Sequence, residues 1–186
     1  MLKRARAIAA TAVILALFIT PAVAENPQPR KIYSGWIPYY SIKTSLPATL
    51  NNIDLMREVM PFWYTLKYNG SKVSITDLYT PANPSVPITT PLSTLKNAGL
   101  TIIPTITDGT DKLVLSNLLS TESGRQAAVQ AINDLVMANN FDGIDLDFEN
   151  FAFVDGNTSW DKTKPFWIAF VKLLSSTLHA NANYFR

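Results

Sequence analysis

Residues 141–150 read Phe-Asp-Gly-Ile-Asp-Leu-Asp-Phe-Glu-Asn, and this stretch constrains the fold more than any other. With the period of two of an extended chain, Asp145, Asp147 and Glu149 line one side and Ile144, Leu146 and Phe148 the other. Alternate residues of a strand lie roughly 6.6 Å apart, so the three carboxylates repel one another unless they share protons. Asp is also depleted in strands, and like charges on one face oppose pairing. A solvated face would more naturally carry Thr, Lys or Ser, so the acidic row implies a site.

Clustered carboxylates also suit hard cations. The calcium-loop pattern, however, requires Gly at its sixth position, and counting from Asp142 the sixth residue is Asp147. That mismatch leaves a metal site as the lesser alternative, and the row is read foremost as a proton-handling site, with no metal and no cofactor expected. An acid must hold its proton near neutral pH, and a neighbouring carboxylate that stays ionised raises its pKa. Asp147 is the natural neighbour of Glu149.

The run Asp142-Gly143-Ile144-Asp145-Leu146-Asp147-Phe148-Glu149 resembles the DGxDxDxE signature of glycoside hydrolase family 18, the chitinase-like enzymes, with every fixed position filled. A weaker likeness extends from about Lys31 to His179. The resemblance implies an α/β fold of the (β/α)8 TIM-barrel type, with Glu149 at the C-terminal end of the fourth strand, where catalytic groups of such barrels lie. It also implies a polysaccharide partner, chitin or peptidoglycan, cleaved by a retaining mechanism in which the substrate's own acetamido group is the nucleophile. On that resemblance Glu149 is the general acid, Asp147 shares a proton and holds the acetamido nitrogen, and Asp145 buffers the charge from deeper in the barrel. Asp142 and Gly143 would serve the turn into the strand.

Strand and helix alternate along the chain, which implies a mainly parallel sheet. Strands are expected over residues 31–37, 58–64 and 100–107, the second interrupted by Pro61, the third followed by the turn pair Asp108-Gly109. A short helix should start at Thr90 and Pro91 and stop at Gly99. Val129, Ile132, Leu135 and Val136 predict a helix over residues 123–139, and Phe166, Phe170, Leu174 and Leu178 one over 163–180. Residues 67–87, rich in Pro, Ser, Thr and Asn, read as an insertion with a small hairpin around 73–78.

Four strand-helix units are expected by this count, whereas a full barrel typically takes about 250 residues. The family's late Tyr motif and last-strand Trp have no counterpart, and Pro104-Thr105-Ile106-Thr107-Asp108-Gly109 stands where Ser-x-Gly-Gly is common. The expectation is thus a truncated or partial domain over residues 31–186, either hydrolytic or a non-catalytic sugar binder.

Residues 1–24 carry Lys3, Arg4 and Arg6, an apolar run from Ile8 to Ile19, and Ala22-Val23-Ala24, the pattern of a secretory signal peptide. That run is too short for a membrane anchor, which needs about 20 residues. A secreted protein with no stable membrane anchor follows, with an exposed linker over residues 25–30. Removing the leader leaves 13 of the 16 basic residues against 14 acidic ones, so the mature chain has no basic excess with which to bind nucleic acid. With no cysteine in the chain, stability rests on the core.

Aromatic side chains stack on pyranose rings but more often pack in cores. Trp36 and Trp63 lie near expected strand ends and are the candidate substrate-binding platforms; Phe62, Tyr64, Phe151, Phe153 and Trp160 read as packing. His179, the single histidine, reads as a cation at a helix C-terminus.

Overall fold

The computed structural model describes residues 33–181. The leader expected over 1–24, the linker over 25–30 and the tail 182–186 lie outside the described residues. β1 (Tyr33–Pro38) passes through a 3-10 turn into α1 (Ile42–Asn51), and β2 (Met56–Tyr68) lies parallel to β1. β3 (Val73–Asp77) folds back antiparallel on the end of β2, so the hairpin expected around residues 73–78 takes its first arm from Tyr64–Tyr68 of β2. Next come α2 (Tyr79–Ala82), α3 (Thr89–Asn97), β4 (Thr101–Ile102) and β5 (Thr105–Asp108). The chain continues through α4 (Val114–Ser120), α5 (Glu122–Asn139), β6 (Asp145–Asp147), α6 (Asn150–Phe153) and α7 (Trp160–Ala180).

The sheet runs β1-β2-β5-β6 in sequence order, each of these pairs parallel, with β3 and β4 both on β2. β4 and β5 form one row broken at Pro104, which has no N–H to give a neighbour. Around the break, Ile103 N donates to Val59 O at 3.0 Å and Asp145 N to Pro104 O at 3.0 Å, so the row stays in place. The result is four parallel rows with helices against them, the α/β half-barrel expected from the strand-helix alternation.

Two helices end the same way just before a strand. Gly99 (φ +75°) follows α3, with Leu100 N donating to Leu95 O, and Asn140 (φ +49°) follows α5, with Phe141 N donating to Val136 O. In both, the left-handed residue reverses the chain, and the residue after it drops into the core. Leu100 and Phe141 are accordingly buried. The start of α3 differs from expectation, for Ile88 and not Thr90 precedes it and no side chain caps it. At α5, Thr121 Oγ1 does accept from Gly124 N, at 3.0 Å. α7 begins at Trp160, ahead of the expected Thr163, and carries Pro165 in its second turn.

The core lies between the sheet and the helices. Ile37, Val59, Ile102 and Ile106 of the strands meet Leu119 and Ile132 of the helices there, all fully buried. Continuous apolar burial of this kind is what a parallel sheet covered by helices demands. The opposite face carries the acids.

Candidate active site

Register places the site. Phe62 pairs with Thr105 and Thr105 with Asp145, so these three share a face, and Thr65, Thr107 and Asp147 do so one step further on. Trp36, level with Met60 on β1, belongs to that face as well. Asp145 Oδ2 accepts from Thr105 Oγ1 at 2.8 Å and from Trp36 Nε1 at 3.2 Å. One carboxylate thus ties the first, third and fourth rows together, which fixes it in a single orientation. Trp36 also meets Phe62 edge-on, with ring centroids 5.9 Å apart, yet remains 57% exposed.

Asp147 sits beside Thr107 at the C-terminal end of β6. Burial pushes its carboxyl above the ordinary carboxylate range, and the charges of Glu149 and Asp145 push it the same way. Glu149 departs from the expected strand. β6 stops at Asp147, and Glu149 has helical backbone angles (φ −94°, ψ −10°) at the start of α6, where its carbonyl accepts from Ala152 N and Phe153 N at 3.0 and 3.1 Å. The row is therefore two acids on a strand and a third on the turn that follows, its side chain exposed. Phe148 points the other way and is buried between Trp167 and Phe170.

Trp63 does not join the site. The register shifts between Phe62 and Tyr64, and Trp63, one residue past the inward Phe62, turns to the helix side. There it is fully buried against Tyr79, with ring centroids 4.8 Å apart. The expectation of a sugar platform is corrected for Trp63, because no face of its indole reaches a ligand.

A second polar cluster lies behind the row. Asp108, at the end of β5, accepts from Thr110 N and Thr110 Oγ1, while its other oxygen is buried with no hydrogen-bond partner among the described residues. Burial raises its pKa, against the lowering effect of the Thr110 hydrogen bonds. Asn150 Nδ2 donates to Thr110 O at 2.9 Å, and the buried Asp155 accepts from Leu113 N and Ser116 Oγ. The sequence reading overlooked this cluster, since Asp155 sits outside the signature and no spacing marks it. Among the described residues no group of three or more His, Cys, Asp or Glu is placed to hold a metal ion. His179 Nδ1 lies 3.2 Å from Ser175 Oγ on the exposed side of α7.

No family model matches the chain, and neither does any curated protein sequence. Solved structures do match. A chitinase catalytic domain from Ostrinia furnacalis superimposes with a TM-score of 0.64 at 16% identity, over 81% of this chain and 41% of that one. A Bacteroides thetaiotaomicron chitinase gives 0.61 at 16%, over 78% and 42%. The chain has the fold of a partial chitinase barrel. A Cycas revoluta family 18 chitinase, solved with (GlcNAc)3, gives 0.58 at 19% identity, over 81% and 41%. The chain thus spans about two fifths of the length of these chitinases.

Proposed function

We propose that the chain is part of a secreted glycoside hydrolase that cleaves β-1,4-linked N-acetylglucosamine polymers, chitin or peptidoglycan, with Glu149 as the general acid. The observation that carries this reading is the run of acids from Asp145 and Asp147 along β6 to Glu149 just past its C-terminal end, on a parallel row in a fold shared with chitinases. The secretory leader supports export. The sugar class is that of the (GlcNAc)3 held by the Cycas chitinase.

In the proposed reaction the Glu149 proton passes to the glycosidic oxygen as the bond from that oxygen to the anomeric carbon breaks. The oxygen of the substrate's 2-acetamido group forms the new bond to that carbon, and water later opens the ring and returns a proton to Glu149, with net retention. Burial and the charges of Glu149 and Asp145 raise the affinity of the Asp147 carboxyl for a proton, which suits it to share one with Glu149. Asp145, locked by Thr105 and Trp36, keeps the row in register. Trp36, exposed on the same face, offers a surface on which a pyranose ring can stack.

The test is release of reducing ends from chitin oligosaccharides and from peptidoglycan glycan strands. Glu149→Gln is expected to lower release by at least about 100-fold, the scale of general acid catalysis, while oligosaccharide binding persists. Unchanged release would refute the assignment. A second reading, a sugar-binding protein without catalysis, draws on the coverage of only 41% of the Ostrinia catalytic domain. Binding without release in the parent chain would establish it.

A further inference from the structure

We propose that Asp155 is a positioning residue for Glu149, acting through the turn that follows β6. The inference rests on the reading of Glu149 as the general acid and adds what holds that acid in place. Glu149 makes no side-chain cap hydrogen bond to α6 and its side chain is exposed, so the point from which its carboxyl reaches the site is set by the backbone that carries it. That backbone belongs to a seven-residue turn, 149–155, pinned at both ends to the loop after β5.

At the near end Asn150 Nδ2 donates to Thr110 O at 2.9 Å. At the far end Asp155, only 6% exposed, accepts from Leu113 N at 2.6 Å and from Ser116 Oγ, while its own N–H donates to Asn150 O at 2.7 Å. A buried carboxylate is costly unless donors meet it, and here they come from Leu113, at the end of the neighbouring loop, and Ser116 in the first turn of α4. One of those donors is strained. Leu113 has φ +63°, a left-handed conformation that a branched side chain adopts only when its surroundings compel it. Asp155 captures its N–H, so the carboxylate holds both the loop and the turn. Losing it frees Leu113 to relax and lets the turn shift, and a misplacement of about 1 Å in a catalytic group can cost about 100-fold in rate.

The test compares Asp155→Ala, Asp155→Asn and Ser116→Ala with the parent chain. Asp155→Ala is expected to lower kcat by about 10- to 100-fold with KM nearly unchanged. Asn keeps an acceptor for Leu113 N and can donate to Ser116 Oγ, so Asp155→Asn should recover most of that loss. Ser116→Ala, remote from the acid and mild enough to fold, should lower kcat less, again at constant KM. A loss carried by KM, or Asn no better than Ala in folded protein, would overturn the inference; so would an unaffected Ser116→Ala if Asp155→Ala does not melt cooperatively. If the parent chain releases no reducing ends, the functional reading fails by itself. Positioning is then read from the backbone amide chemical shifts of Glu149 and Asn150, which should move in Asp155→Ala and Ser116→Ala, and unmoved shifts count against it.

Discussion

Asp147 carries opposite demands of stability and chemistry. Its carboxyl is pushed above the ordinary range, first by burial and then by Glu149 and Asp145. A carboxyl raised in the folded state binds its proton more tightly there than in the unfolded chain. The stability this supplies is fully present below the unfolded value of about 3.9 and is lost as pH rises through the folded value. Asp147→Asn removes the charge and its cost. It should therefore melt at or above the parent temperature near pH 7, with a gap that narrows as pH falls toward about 3.9, while hydrolysis drops. Thermal denaturation at a series of pH values checks this, and a variant that melts lower than the parent near pH 7 contradicts it. Asp145 differs because its oxygen already has two donors, Thr105 and Trp36, from other strands. The pattern DxDxE marks all three acids alike in the sequence. What separates them is cross-strand partners up to 109 residues away, which no local spacing encodes.

Among the elements, those with strong local signals are where the sequence puts them, and those made by tertiary contact are not. The helix of α5 is announced by its apolar period, and it runs Glu122–Asn139 as expected to within a residue. α1, with Pro47 inside it, and α4, entered through the left-handed Leu113, have no such signals and were not foreseen. β6 is shorter than its alternating pattern suggests, because alternation persists in sequence after Glu149 has left the sheet. A prediction belongs here. Gly→Ala inside a helix normally stabilises by up to about 1 kcal/mol. At Gly124, in the first turn of α5, an added Cβ would collide with the Leu118 carbonyl of α4. The sign should reverse, with Gly124→Ala costing about 1–3 kcal/mol, as overpacking does. Denaturant melts of the two proteins measure it, and a variant more stable than the parent would show that the α4–α5 junction yields freely.

At the scale of the molecule, eight rows close a barrel and four leave two edges, β1 and β6. Both edges carry features that discourage pairing, since β6 is three residues long with two acids and β1 ends in Pro38. The apolar side of β6 is less guarded. Ile144 and Leu146 line a groove with Val171, Leu174 and Leu178 of α7, and Ile168 and Val171 of that helix are 43% and 37% exposed. In a closed barrel the flank of an inner row is covered by the next strand and helix, so an uncovered groove of this composition should be sticky. Residues 25–186 alone are therefore expected to bind a hydrophobic dye and to associate as concentration rises. Val171→Lys should weaken both without lowering the melting temperature, because its side chain already meets solvent. Light scattering across a concentration series, with dye fluorescence in parallel, decides the matter. A parent chain that stays monomeric and dark would mean that the groove is closed in solution by the chain itself.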